Sequence, residues 1–175
     1  MSSKLFIREK TTAALLLCCL SILCLYGCGY HLIGPSPLKN GLTIGDIKNS
    51  TREPLLEERL GAALIDELSK EGVKDINNGG PLITADIKAF SMSAVSEANE
   101  LAGEYAITLK VDFRVKKDNR VIKIDSVEPP FLITFQASDV IQQTASLKDE
   151  AVRKAMREIV REFLMRLRLE LQKLP

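Results

Sequence analysis

From Tyr105 to Lys116 the chain alternates almost without fault: Tyr105, Ile107, Leu109, Val111, Phe113 and Val115 are apolar, and Thr108, Lys110, Asp112, Arg114 and Lys116 are polar. Successive side chains of a strand point to opposite faces, so this run has one face for packing and one for water. Such a strand belongs to an antiparallel sheet covered on one side only. The rest of the chain must therefore supply a single cover. Residues Leu147 to Leu171 offer it, because Val152, Ala155, Met156, Ile159, Val160, Phe163, Leu164, Leu167 and Leu171 form a wide apolar stripe at helical spacing. The opposite side of that helix is charged, with Arg153, Lys154, Arg157, Arg161 and Arg166. A basic amphipathic helix can also lie on a membrane, but the stripe has the width of a core helix and the sheet has an apolar face to receive it.

The other elements follow the same logic. Leu42 to Lys48 reads as a strand with Leu42, Ile44 and Asp46 on one face. Asn49-Ser50-Thr51 then opens a helix, with Ser50 or Thr51 as cap and Pro54 in the first turn. Leu56, Leu60, Ala63, Leu64 and Leu68 make its apolar face; Glu57, Glu58, Arg59, Glu67 and Lys70 make its wet one, and Gly72 ends it. After the turn at Asn77-Asn78-Gly79-Gly80-Pro81, a strand over 82–95 alternates Ile83, Ala85, Ile87 and Ala89 against Thr84, Asp86 and Lys88. A polar loop leads to the strand at Tyr105. Lys117-Asp118-Asn119-Arg120 turns the chain into Val121–Ile124, and Pro129-Pro130 interrupts that fourth strand before Phe131, Ile133 and Phe135 resume alternation. The interruption leaves the strand bent, bulged or split. The order β-α-β-β-β-α predicts an α+β two-layer sandwich, a mostly antiparallel four-stranded sheet with two helices on one face.

Ahead of this domain, Lys4, Arg8 and Lys10 precede an apolar run from Ala13 to Leu25 that is too short to span a bilayer comfortably. This is the layout of a secretory signal. Leu25-Tyr26-Gly27-Cys28 resembles the bacterial lipobox, which makes Cys28 the acylated first residue of the mature chain; ordinary secretory cleavage and an uncleaved anchor are the alternatives. The expected organisation is a signal peptide at 1–27, a lipid-anchored tether at 28–40 and one domain at 41–175. Cys18, Cys19 and Cys24 would leave with the signal and the lipid would occupy Cys28, so no disulfide or cysteine metal site is expected. Loss of the signal also moves the formal charge from +1 to slightly negative. No overall field then favours nucleic acid. The absence of tryptophan argues against a base- or sugar-stacking surface.

Enzyme signatures are not found. The single histidine, His31, lies in the tether, and no nucleophile elbow, phosphate loop or metal-spaced set occurs. Glu57-Glu58 and Asp149-Glu150 are adjacent on helices and project about 100° apart, unlike a catalytic dyad. No cofactor is expected. The chemistry-bearing group is basic: Lys110, Arg114 and Lys116 share the wet face, and Lys117, Arg120 and Lys123 surround the hairpin. Such a group can hold the phosphates of an anionic glycolipid, or it can be a solubilising surface.

Several stretches together resemble the LptE family of lipopolysaccharide-assembly lipoproteins. They are Cys28-Gly29-Tyr30-His31-Leu32, the strand-to-helix segment from Ile47 to Glu57, Glu104-Tyr105 opening the alternating strand, and the element order. The resemblance implies a non-enzymatic outer-membrane subunit that helps the LptD β-barrel assemble and plugs it while lipopolysaccharide moves to the cell surface. It also implies a membrane attachment through acylated Cys28. Direct lipopolysaccharide binding, for which Lys110, Arg114, Lys116, Lys117 and Arg120 are the candidates, is a further implication. Gly29 after the cysteine implies sorting to the outer membrane. A tethered lipid-binding lipoprotein acting without a barrel is the competing reading, and a lipoprotein hydrolase is a third.

Overall fold

The structure, a computed structural model, describes residues 41–73, 76–77, 79–98 and 101–173. The signal peptide, the tether, Cys28 and His31 lie outside the described residues. Seven elements follow one another: β1 (Thr43–Asn49), α1 (Leu56–Lys70), β2 (Leu82–Ala98), β3 (Leu101–Lys117), β4 (Arg120–Val127), β5 (Ile133–Gln136) and α2 (Ile141–Gln172). The strands form one mixed sheet in the order β1-β2-β3-β4, with β5 also on β3. β1 runs parallel to β2, and the other pairings are antiparallel. Both helices cover the face that the alternation of β3 marks as apolar. Ile107, Leu109, Val111, Phe113 and Val115 are buried against Leu56, Leu60, Leu64 and Leu68 of α1 and Val152, Met156, Ile159, Phe163 and Leu167 of α2. At the centre Phe113 and Phe163 stack with ring centroids 4.0 Å apart.

The fourth strand is split. β4 and β5 lie in line along the same side of β3, pairing with Val111–Lys117 and Glu104–Ile107 respectively. Between them Glu128–Leu132 loops out, because neither Pro129 nor Pro130 has an N–H for the ladder. Phe131, expected to resume the inward alternation, sits instead at the tip of this excursion and is 75% exposed. Ile133 and Phe135 do turn inward.

Three register shifts alter the faces expected from simple alternation. In β1 the shift between Ile44 and Ile47 lets both pack on the core, so Asp46 leaves that face and is exposed. Gly45 fits there because a Cβ would stand 2.8 Å from Leu82 Cδ1. In β2 the shift between Ile87 and Ala89 moves Ala89 out and turns Phe90 toward the core. In β4 the shift falls opposite Val111–Phe113; Ser126 adopts φ 54°, and its N–H donates to Asp112 Oδ1 at 2.7 Å. A bulge places two residues against one, which inverts the parity of everything beyond it.

The predicted loop after residue 95 is a strand pair instead: β2 continues to Ala98 and β3 starts at Leu101. Backbone pairing with a neighbour satisfies such a stretch whatever its side chains. Helix α1 also starts later than its composition suggests. Its first residue is Leu56, with Leu55 in the left-handed region at φ 62° and no side-chain cap from Ser50 or Thr51. Asn49 organises the junction in their place. Its Nδ2 donates to the Glu53 carbonyl (2.8 Å) and to Glu57 Oε2 (2.9 Å), while its Oδ1 accepts from Thr51 N–H (3.0 Å) and Oγ1 (2.8 Å). The C-terminal stop is as expected: Gly72 takes φ 79°, its N–H reaches the Ser69 carbonyl, and Val73 N–H reaches that of Leu68. Helix α2 begins six residues before Leu147, its first turn tied down where Thr144 Oγ1 accepts from Ser138 N–H and donates to the Ser138 carbonyl.

Candidate functional site

The uncovered face of the sheet carries Thr84, Asp86, Lys110, Asp112, Arg114 and Lys116, as the parity of their buried neighbours requires. The structure divides the five basic residues singled out from the sequence. Arg114 and Lys116 stand at the end of β3 nearest the turn, and Lys117 and Arg120 face each other across the two-residue turn Asp118-Asn119. Lys123 joins them, because it is the direct cross-strand partner of Arg114. All five are exposed, and none makes an ion pair among the described residues. Like charges set directly opposite each other in a sheet are destabilising, so the Arg114–Lys123 pair carries a folding cost.

Lys110 stands apart. It lies six residues from Lys116, about 20 Å along the strand, and its Nζ binds Glu128 at 2.8 Å. The hydrogen bond to that carboxylate holds the Lys110 ammonium above the usual lysine range. Lys110 is therefore neutralised locally, unlike the hairpin group.

Two of the three acids nearest to Arg114, Asp86 and Asp112, are already engaged. Asp46, Asp86, Asp112, Lys48, Thr84 and Arg114 line a cleft of about 240 Å³. Asp112 accepts from the Ser126 N–H, and Asp86 accepts from Ser50 Oγ at 2.8 Å and pairs with Lys88. The Lys88 hydrogen bond, with that of Ser50, outweighs burial and keeps the Asp86 carboxyl below its ordinary value. With Asp86 and Asp112 committed, Arg114, Lys116 and Lys123 present unshared donors on the open face, and Lys117 and Arg120 flank them at the turn with the opposite parity. That is the arrangement that binds phosphate or carboxylate oxygens through charge-assisted hydrogen bonds.

One member of each carboxylate pair on the helices is a structural partner. Asp149 binds Arg59 (2.6 Å) and Arg153, and Glu57 takes the Asn49 amide. Glu67, expected on the wet side of α1, is only 6% exposed. Arg161 Nε reaches it at 3.0 Å and Lys70 Nζ at 2.9 Å. Burial pushes the Glu67 carboxyl up, but the hydrogen bonds from Arg161 and Lys70 outweigh it and hold the group below the usual glutamate range.

A second feature went unread in the sequence. Over the far half of the sheet, Met92, Tyr105, Phe135, Ala137, Ile141 and Ala145 line an open groove of about 500 Å³. Its floor includes the Tyr105–Phe135 stack, with centroids 5.4 Å apart. Only the register shift after Ile87 brings Met92 to this side, and periodicity does not show where such a shift falls.

Comparison with known proteins gives one family. The family model described as lipopolysaccharide-assembly, LptE, matches residues 40–167. No curated protein matches the chain. Among solved structures, a Caulobacter crescentus protein is similar at TM-score 0.49 and 14% identity, over 73% of this chain and 91% of its own. The rare lipoprotein B of Shewanella oneidensis is similar at 0.48 and 14%, over 76% and 98%. Lipoprotein B of Nitrosomonas europaea is similar at 0.46 and 12%, over 83% and 94%.

Proposed function

The chain belongs to the LptE family of lipopolysaccharide assembly, and from that premise we propose that it is a non-enzymatic lipoprotein subunit of the outer membrane. In this reading acylated Cys28 anchors it. The domain assists the assembly of the LptD β-barrel and plugs it during lipopolysaccharide transport. The family match over residues 40–167 carries the reading.

The geometry supports it in two ways. A plug needs a rigid body, and the two-layer core with its Phe113–Phe163 stack supplies one. It also needs a wet surface that can meet a polar lumen, which the open sheet face provides. The hairpin group of Arg114, Lys116, Lys117, Arg120 and Lys123 is the candidate site for lipopolysaccharide phosphates, with Lys110 a separate, ion-paired neighbour. A carrier acting alone would enclose its lipid. The apolar groove here is open, with Ile141 at its margin 81% exposed, which favours the barrel partner.

Extraction in mild detergent tests the proposal. The lipoprotein should co-purify with LptD, and recovery solely as a free monomer would overturn the partnership. Labelling with a radioactive fatty acid tests the anchor: label should appear on the wild type and vanish in Cys28→Ala.

A further inference from the structure

β2 outruns its parallel neighbour. The pairing with β1 ends at Asn49 opposite Ile87, and the last backbone bond across that seam runs from Ser50 N–H to the Ile87 carbonyl. β2 then continues from Ala89 to Ala98, paired with β3 on one side. Among the described residues no strand borders its other side. The open stretch extends for about 30 Å.

A row of unpaired N–H and C=O groups is a template for another strand, and natural sheets blunt such rows with charge, proline or bulges. The other edges of this sheet are blunted. β4 carries Arg120, Lys123 and Asp125, a bulge at Ser126 and then Pro129-Pro130; β1 is short and carries Asp46, Lys48 and a register shift. Residues Ala89–Ser96 contain no charged residue and no proline. This edge lacks charge and proline, and its blunting is limited to the register shifts after Ile87 and Ala94.

The apolar groove adjoins the same stretch, since Met92 belongs to both. Apart from the Tyr105 hydroxyl, its side-chain polar groups are engaged. Thr144 and Ser138 bond each other, Ser138 Oγ bonds Gln143, and Lys148 binds Glu53 at 2.7 Å. The groove therefore suits apolar side chains, while the edge beside it requires backbone donors and acceptors. Only a polypeptide strand meets both demands.

We propose that Ala89–Ser96 is a docking edge that receives an extended segment of the barrel partner by strand addition, with alternate apolar side chains of that segment entering the groove. The proposal rests on the barrel-partner reading above. Every wall strand of a closed barrel already has two neighbours. The added strand is therefore a loop or terminal segment reaching into the lumen, and not part of the wall.

Amide hydrogen exchange of the full lipoprotein, alone and bound to the LptD barrel in the same detergent, tests this. The edge-facing amides within 89–96 should exchange fast in the free protein and slow by roughly tenfold or more in the complex, while α1 amides stay unchanged. A complex in which 89–96 exchange as in the free protein overturns the docking edge and leaves the partnership standing. Failure to form any complex overturns both. In a second arm, Ser91→Lys with Ser93→Lys adds charge at two exposed positions. Recovered barrel should fall about tenfold with the circular dichroism unchanged, and undiminished recovery overturns the proposal. Protection of 89–96 in the free protein that rises with its concentration would assign the edge to a second copy of the chain and overturn it as well.

Discussion

On the outer side of the helix layer, Arg59, Arg153, Arg161, Arg166 and Arg168 each hold a carboxylate. Around the β3–β4 hairpin, Arg114, Lys116 and Lys123 on the open sheet face and Lys117 and Arg120 at the turn hold none among the described residues. Both surfaces are exposed and both mix acids with bases, so composition does not separate them. Geometry does. The two helices run side by side in the same direction: Arg59 meets Asp149, Glu67 meets Arg161 and Glu71 meets Arg168. Helical spacing adds partners within α2, as in Arg166–Glu162. On the strands, Asp86 and Asp112 serve Ser50, Lys88 and the Ser126 bulge, and the turn keeps its cations unshared. The basic residues of the helix layer hold the fold, with Lys154 and Arg157 as exceptions, and those of the hairpin are available to a partner.

The largest expected effect breaks that contrast from the sheet side. Arg114→Glu, Lys116→Glu and Arg120→Glu together should lower lipopolysaccharide affinity by roughly 100-fold, the loss of three charge-assisted contacts, with the thermal midpoint nearly unchanged. Unchanged affinity in a vesicle or micelle titration would return the cluster to a solubilising surface.

The reverse is expected on the helix side. Glu67→Gln should cost about 1 kcal/mol in urea unfolding, a value reduced because Arg161 is half exposed and screened, and should leave lipopolysaccharide affinity alone. An affinity change there would undo the division of labour between the faces.

Acid sharpens the same point. The Glu67 carboxyl is held below its ordinary range in the folded protein, so its contribution is present above the unfolded value of about 4.3 and fades as pH falls through the folded one. The stability gap between wild type and Glu67→Gln should be constant near neutrality and close on acidification below about pH 5. A gap independent of pH across that window would show that the carboxylate charge is not what holds α1 to α2.

The smallest effect is a gain. Lys123→Gln removes the like charge opposite Arg114 and should stabilise the domain by a few tenths of a kcal/mol, measurable as a shift in urea midpoint. A loss of stability would mean that Lys123 has a structural partner after all.

Much of the fold was legible because its signals are local. The burial of Ile107 to Val115 follows from period two, and that of Val152 to Leu167 from period 3.6. Gly72 stops α1 through its own φ. The candidate basic residues were legible as types and by parity. Their grouping was not: Lys110 differs from Lys116 only because Glu128, eighteen residues on, swings beside it where Pro129-Pro130 leaves the ladder. Glu67 looked like any solvated glutamate until Arg161, in a distant helix, closed over it.

Local patterns along the chain already settle which segments pair their apolar faces, that one sheet face stays wet, and that cations gather at one turn. These are properties of neighbours along the chain. The assembled fold sets which face Asp46, Ala89 and Phe131 take, which cations keep their charge unshared, and that Ala89–Ser96 has a strand on one side only among the described residues. A bulge exists only between two paired strands, and one inserted residue exchanges inside for outside, so no periodicity within a single strand can announce it.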